Sequence, residues 1–185
     1  MTSLGYAVLY AAGILAVFAL FAWKTSILRD RGALVASVKA GEQTFSLARS
    51  QIYWWTMLVA LVTGWLLILT GNLLSPTPQV LALLGISAGT TGVAGMVTPA
   101  DASPPVGVSR GWLRDVLDDG QGISVHRYQA LLANLGIGLT FVYKSIQLDH
   151  FYEIDTLWLG VLGVSSLLYI GGKSQESAPP QPGSA

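Results

Sequence analysis

The sequence contains no cysteine, which excludes disulfides, thiolate metal sites and cysteine nucleophiles together. Its two histidines, His126 and His150, lie far apart in the chain, too few for a histidine-rich metal centre. Charge is scarce as well: Asp, Glu, Lys and Arg make up 11% of the residues, against about 25% in globular proteins. Ten Lys and Arg balance ten Asp and Glu, so the chain exerts no bulk electrostatic pull on nucleic acid. The abundant class is apolar, at 52% of residues, with a mean hydropathy of +0.55. A chain of this composition belongs in a solvent that does not reward charge.

A helix needs about 20 apolar residues to cross roughly 30 Å of hydrocarbon. Five runs approach that length: Leu4–Trp23, Ile52–Gly71, Gln79–Thr98, Tyr128–Ile146 and the shorter Thr156–Gly171. The first has no basic residue before it and exceeds the h-region of a signal peptide, so it reads as a retained span. Nine of the ten basic residues fall on one side of the spans, in the segments after the first, third and fifth runs, and only Lys144 falls on the other. The positive-inside rule makes that side cytoplasmic, with the N-terminus outside and the C-terminus inside. Trp23, Tyr53, Trp54 and Trp55 fall at the cytoplasmic boundary, where amphipathic rings settle among headgroups.

An internal repeat is also expected. Ser46-Leu47-Ala48-Arg49-Ser50-Gln51 returns as Ser124-Val125-His126-Arg127-Tyr128-Gln129, 78 positions on, and Leu84-Gly85-Ile86-Ser87 returns as Leu162-Gly163-Val164-Ser165 at the same shift. Two motifs that keep one offset point to duplication of a two-helix unit, its copies related by an axis along the membrane normal. The first span stands outside the repeat. Ser46 and Ser124 are placed to cap helix N-termini with their side chains. Arg49 and Arg127, with Gln51 and Gln129, sit at phosphate depth, as lipid anchors or as a site for an acidic partner.

Between the third and fourth spans, 110–117 reads as an interfacial helix with Trp112, Leu113, Val116 and Leu117 on one face and Arg114, Asp115 and Asp118 mostly on the other. Asp118-Asp119-Gly120-Gln121-Gly122 lacks calcium-loop spacing and reads as a tight turn. Within the spans, Thr56, Thr63 and Thr70 form a small-polar stripe. Asn134 and Gly138 begin the same face in the second copy, and Gly85, Ser87, Gly89 and Thr91 line the third span, with Ser165 as a later counterpart. Such faces let helices approach closely and bond through hydroxyls, or they line a pore. Gly85-Ile86-Ser87-Ala88-Gly89 also fits G-x-S-x-G, but it lies in an apolar helix rather than a strand-turn-helix, with both histidines far from it. Proton relays and most ion-coupled carriers use acidic or basic groups inside their spans; here Lys144, near a span end, is the one such residue.

At these motifs the chain resembles a group of bacterial multi-pass membrane proteins of uncharacterised activity. The matching stretches are Ser46–Gln51, Gly122–Gln129 and Gly85-Ile86-Ser87-Ala88-Gly89-Thr90, within about residues 45–173; Leu167-Leu168 departs from the Gly-Thr step. The resemblance implies paired helical units and supplies no activity.

The sequence thus predicts an all-α integral membrane protein with five transmembrane helices. It divides into an N-terminal helix (1–24), a cytoplasmic loop (25–45), a two-helix repeat (46–98), a loop with an interfacial helix (99–123), a second repeat (124–173) and a Pro/Ser-rich tail (174–185). The expected role is a non-enzymatic scaffold, anchor or accessory subunit in a bacterial inner membrane, homo-oligomeric or part of a larger complex, with no cofactor or metal. The alternative is a small oligomeric ion channel lined by Ser and Thr.

Overall fold

A computed structural model describes residues 2–30, 39–85, 108–118 and 122–162. The described residues are helical and include no strand, only isolated bridges at Arg29–Phe45, Gln43–Val108 and Asp118–Ile123. Among the described residues, three helices are long and apolar enough to cross a membrane: α1 (Ser3–Lys24), α2 (Leu47–Thr70) and α5 (Val125–Leu148). At about 1.5 Å per residue the 24 residues of α2 and of α5 each reach roughly 36 Å. The expected third and fifth spans begin as helix over 78–85 (α3) and 156–162 (α6); their remaining residues, and the 174–185 tail, lie outside the described residues. The described residues also form a short helix, α4 (Trp112–Leu117), and a 3-10 turn, Ala40–Glu42.

Local chemistry sets the helix ends. Thr2 caps α1 by accepting from the Gly5 amide at 3.3 Å. Gly71 ends α2 in the left-handed region at φ +72, its N–H on the Leu67 carbonyl. Asp149 ends α5 in the same conformation at φ 53. Helix α3 starts at Pro78, where the missing N–H costs nothing, and the Thr77 hydroxyl accepts from the Val80 amide at 3.4 Å. One expectation fails here. Ser46 and Ser124 occupy the N-cap positions of α2 and α5, but neither side chain accepts a capping bond. The Ser46 amide instead donates to the Leu28 carbonyl and the Ser124 amide to the Leu117 carbonyl, so backbone pairing between loops fixes both entry points. Helices α2 and α5 are equal in length, and their bounds differ by 78 positions at either end (47 to 125, 70 to 148).

Helix α1 runs antiparallel to α2. The Tyr10 hydroxyl donates to the Ala60 carbonyl at 2.9 Å, and nearer the other end the Tyr53 hydroxyl donates to the Phe18 carbonyl. The approach is close because Gly64 has no side chain: a Cβ there would lie 2.1 Å from the Tyr10 ring. Helix α5 runs parallel to α2, since Leu47 clusters with Ala130 while Leu58, further along, meets Gly138. Trp55, Leu58, Val62, Leu66 and Phe141 fill the core, joined by Val80 and Leu83 of α3 and by Phe151 and Ile154. The αL turn at Asp149 sends 150–155 back onto this core. Phe151 stacks on Phe141 at 6.4 Å, and the Tyr152 amide donates to the buried Ser145 hydroxyl at 2.9 Å.

The aromatic belt needs correction. Trp55 is only 1% exposed; Trp54 and Tyr53 pack against α5 and α1 through their polar atoms. Of the four expected belt residues Trp23, at 79% exposure, stands free of the bundle. Rings on three sides of one helix meet neighbours, and their N–H and O–H groups find partners there rather than in headgroups.

Candidate functional site

Because α1 is antiparallel to α2 and α5 parallel to it, Lys24, Arg49 and Arg127 come to one end of the helices. There residues 25–30 and 39–46 join residues 108–118 and 122–124 in a small platform. The Asp30 amide donates to the Thr44 carbonyl at 2.9 Å and the Ser109 amide to the Glu42 carbonyl at 2.8 Å. Arg29 lies over the Phe45 ring, 4.3 Å from its centroid, and donates to the Gln43 carbonyl. The Arg49 guanidinium reaches the Ile27 carbonyl at 3.4 Å.

Asp115 fastens the two segments together. Its carboxylate accepts from the Phe45 amide at 3.2 Å, the Ser109 hydroxyl at 2.6 Å and the Arg110 amide at 2.9 Å. The sequence placed Asp115 mostly on the polar face of the interfacial helix; in the structure it is 7% exposed, on the buried face with Val116 and Leu117. Leu113 and Trp112, expected on the apolar face with them, are exposed. The reversal has a physical cause: three donors converge where only an anion can accept them all, and Val116 already fills the gap between Leu47 and Ala130. Trp112 is tied down at its polar end, donating to the Ser50 hydroxyl at 3.1 Å.

Deeper in the helices, Asn134 is buried and accepts from Trp55 Nε1 at 2.7 Å through its side chain and from Trp54 Nε1 at 3.2 Å through its carbonyl. Its own amide donates to the Ala130 carbonyl at 2.8 Å. One turn on, Gly138 leaves space for Trp54 and Leu58; a Cβ would lie 2.6 and 2.7 Å from them. These two residues meet α2. The threonine hydroxyls bond within their own helix, those of Thr56, Thr63 and Thr70 donating to the carbonyls of Ile52, Val59 and Leu66, each four residues back in α2. A hydroxyl satisfied by its own helix has no need of a neighbour. Gly85 is exposed, with no described residue within 4 Å of where its Cβ would be. Gln51 is half-buried and Gln129 exposed. Ser87, Gly89, Thr91 and Ser165 lie outside the described residues.

Replacing Asn134 with alanine strands the Trp55 N–H in the core. Loss of about 1–2 kcal/mol is expected, read as a lowered midpoint in reversible SDS unfolding. Trp55→Phe in the same background should add little, because the partner is already gone.

Sequence reasoning missed Asp115 and Tyr10. A carboxylate in the first turn of a helix was a usable sign that it reaches back to a backbone amide, and a tyrosine in an apolar run needs a hydroxyl partner. Nothing local marks the tie from Asp115 to Phe45, 70 residues away. Comparison with protein-family models, curated proteins and solved structures found no match.

Proposed function

We propose that the protein is a non-enzymatic integral membrane scaffold, anchor or accessory subunit that presents the loop platform on the cytoplasmic face and assembles through its helices. The observation that carries this reading is the platform itself, where one buried carboxylate binds two distant loops onto the ends of packed, membrane-length helices. A surface so fastened holds its shape, which is what a partner requires.

The proposed topology has five crossings, N-terminus outside and C-terminus inside. Helices α2 and α5 run side by side in one direction, so the chain between Thr70 and Val125 has to return to the starting end. Their equal lengths, the 78-residue shift of both bounds, and left-handed caps at Gly71 and Asp149 support a duplicated two-helix unit. The described cations at the platform end are Lys24, Arg29, Lys39, Arg49, Arg110, Arg114 and Arg127; the opposite end has Lys144 among Asp149, Glu153 and Asp155. That asymmetry favours a cytoplasmic platform. A bacterial inner membrane is the proposed site.

The test is the mass of the full chain in nanodiscs of neutral lipid. An oligomer or a defined complex is expected; a monomer that retains no other protein overturns the reading. Robust ion flux in liposomes, altered by Thr63→Val or Ser87→Val, would replace it with a channel.

A further inference from the structure

Helix α4 lies at an unusual depth for a loop element. Trp112 bonds to Ser50 in the first turn of α2, and Val116, fully buried, packs with Leu47 in the first turn of α2 and Ala130 in the second turn of α5. The segment therefore rests level with the starts of the apolar runs, where headgroups meet hydrocarbon. Its outward surface is mixed. Leu113 is 57% exposed and Ile123 72% exposed, with Val125 exposed beside it, while Arg114 is exposed and the Arg110 side chain is 65% exposed. The parts are contiguous: Arg110 lies 3.9 Å from Asp118, Asp118 bridges to Ile123, and the Ser124 amide closes onto Leu117.

We propose that this surface binds an anionic phospholipid of the bilayer, with Arg110 and Arg114 at the phosphate and Leu113, Ile123 and Val125 against the acyl chains. The depth of α4 selects the bilayer as the source of the anion, because apolar groups that project at this level meet lipid and not water. Guanidinium groups suit the phosphate through paired N–H donors. Of the described acids nearby, Asp115 is taken up by three donors; Asp118 competes with the phosphate for Arg110, but an ion pair of 3.9 Å on a guanidinium 65% exposed is weak. The inference rests on the membrane reading above and is independent of oligomeric state.

The experiment uses the full chain in neutral detergent, with equal amounts of phosphatidylglycerol and phosphatidylcholine, scored by native mass spectrometry. Wild type is expected to retain the anionic lipid about tenfold over the neutral one, at roughly fivefold per arginine with some loss to screening. R110Q/R114Q should lower the ratio about fivefold, the other platform cations keeping a remainder, and R110K/R114K should keep it within about twofold of wild type, since charge carries most of it. The SDS midpoint of each variant in phosphatidylcholine checks folding. Equal retention of both lipids by wild type, or a preference that R110Q/R114Q leaves unchanged, overturns the proposal. So does displacement of the lipid by inorganic phosphate at matched concentration, which would assign the site to a free anion. A monomer in neutral nanodiscs would sink the assembly reading and leave this result standing.

Discussion

Replacing Asp115 with alanine should release the platform while leaving the helices packed. Three donors lose their shared acceptor: the Phe45 amide, the Ser109 hydroxyl and the Arg110 amide. Charge-assisted bonds are each worth more than neutral ones, but water reaches these partly buried donors once the loops separate, so about 3 kcal/mol is expected. The loss is local. Amide exchange at Phe45 and Arg110 should quicken about a hundredfold, the equivalent of that energy, while amides in the middle of α1 and α2 stay protected. Asp115→Asn keeps one acceptor oxygen and should lose less. Equal quickening throughout the chain would mean that the platform and the helices unfold as one unit.

The second large effect is expected at Gly64. Leucine there would drive its Cβ into the Tyr10 ring, 2.1 Å away, and threaten the bond from the Tyr10 hydroxyl to the Ala60 carbonyl. Overpacking of this kind costs about 3 kcal/mol, here by separating α1 from α2. Two controls isolate the cause. Tyr10→Ala in the same chain removes the obstacle and should return much of the loss, a coupling of about 2 kcal/mol by double-mutant cycle. Gly13→Leu on α1, where no described residue lies within 4 Å, should be close to neutral. The measurement is the SDS midpoint, with crosslinking between cysteines placed on α1 and α2 reporting their separation. A Gly64→Leu protein with an unchanged midpoint would mean that Tyr10 swings out at no cost.

The long helices were legible because lipid imposes a simple rule on sequence. A run of apolar residues near span length, ended by Gly71 or flanked by Lys24, carries its own address; α1 and α5 cover their runs with a few residues to spare, and α2 starts five residues before its run and stops one short, at Thr70. The partners of individual side chains were not legible. Thr56 and Asn134 occupy equivalent positions 78 residues apart, and each bonds back four residues, to Ile52 and Ala130, yet the asparagine also accepts from Trp55 across the helix contact. Composition treats both as small polar groups; rotation of the helix against its neighbours separates them. Trp54 and Trp55 illustrate the same limit, since indole rings suit a headgroup belt or a helix contact equally well until a partner such as Asn134 is in place.

What the amino-acid order determined alone was the solvent and the scaffold: scarce charge and long apolar runs make lipid the medium, and in lipid the backbone must satisfy itself within helices. Only the tertiary structure decided which faces meet and which loops join. Those choices rest on contacts between residues far apart in the chain, such as Tyr10 with Gly64 and Asp115 with Phe45. Local pattern cannot encode them, because each depends on the distance and angle at which two separate elements come to rest.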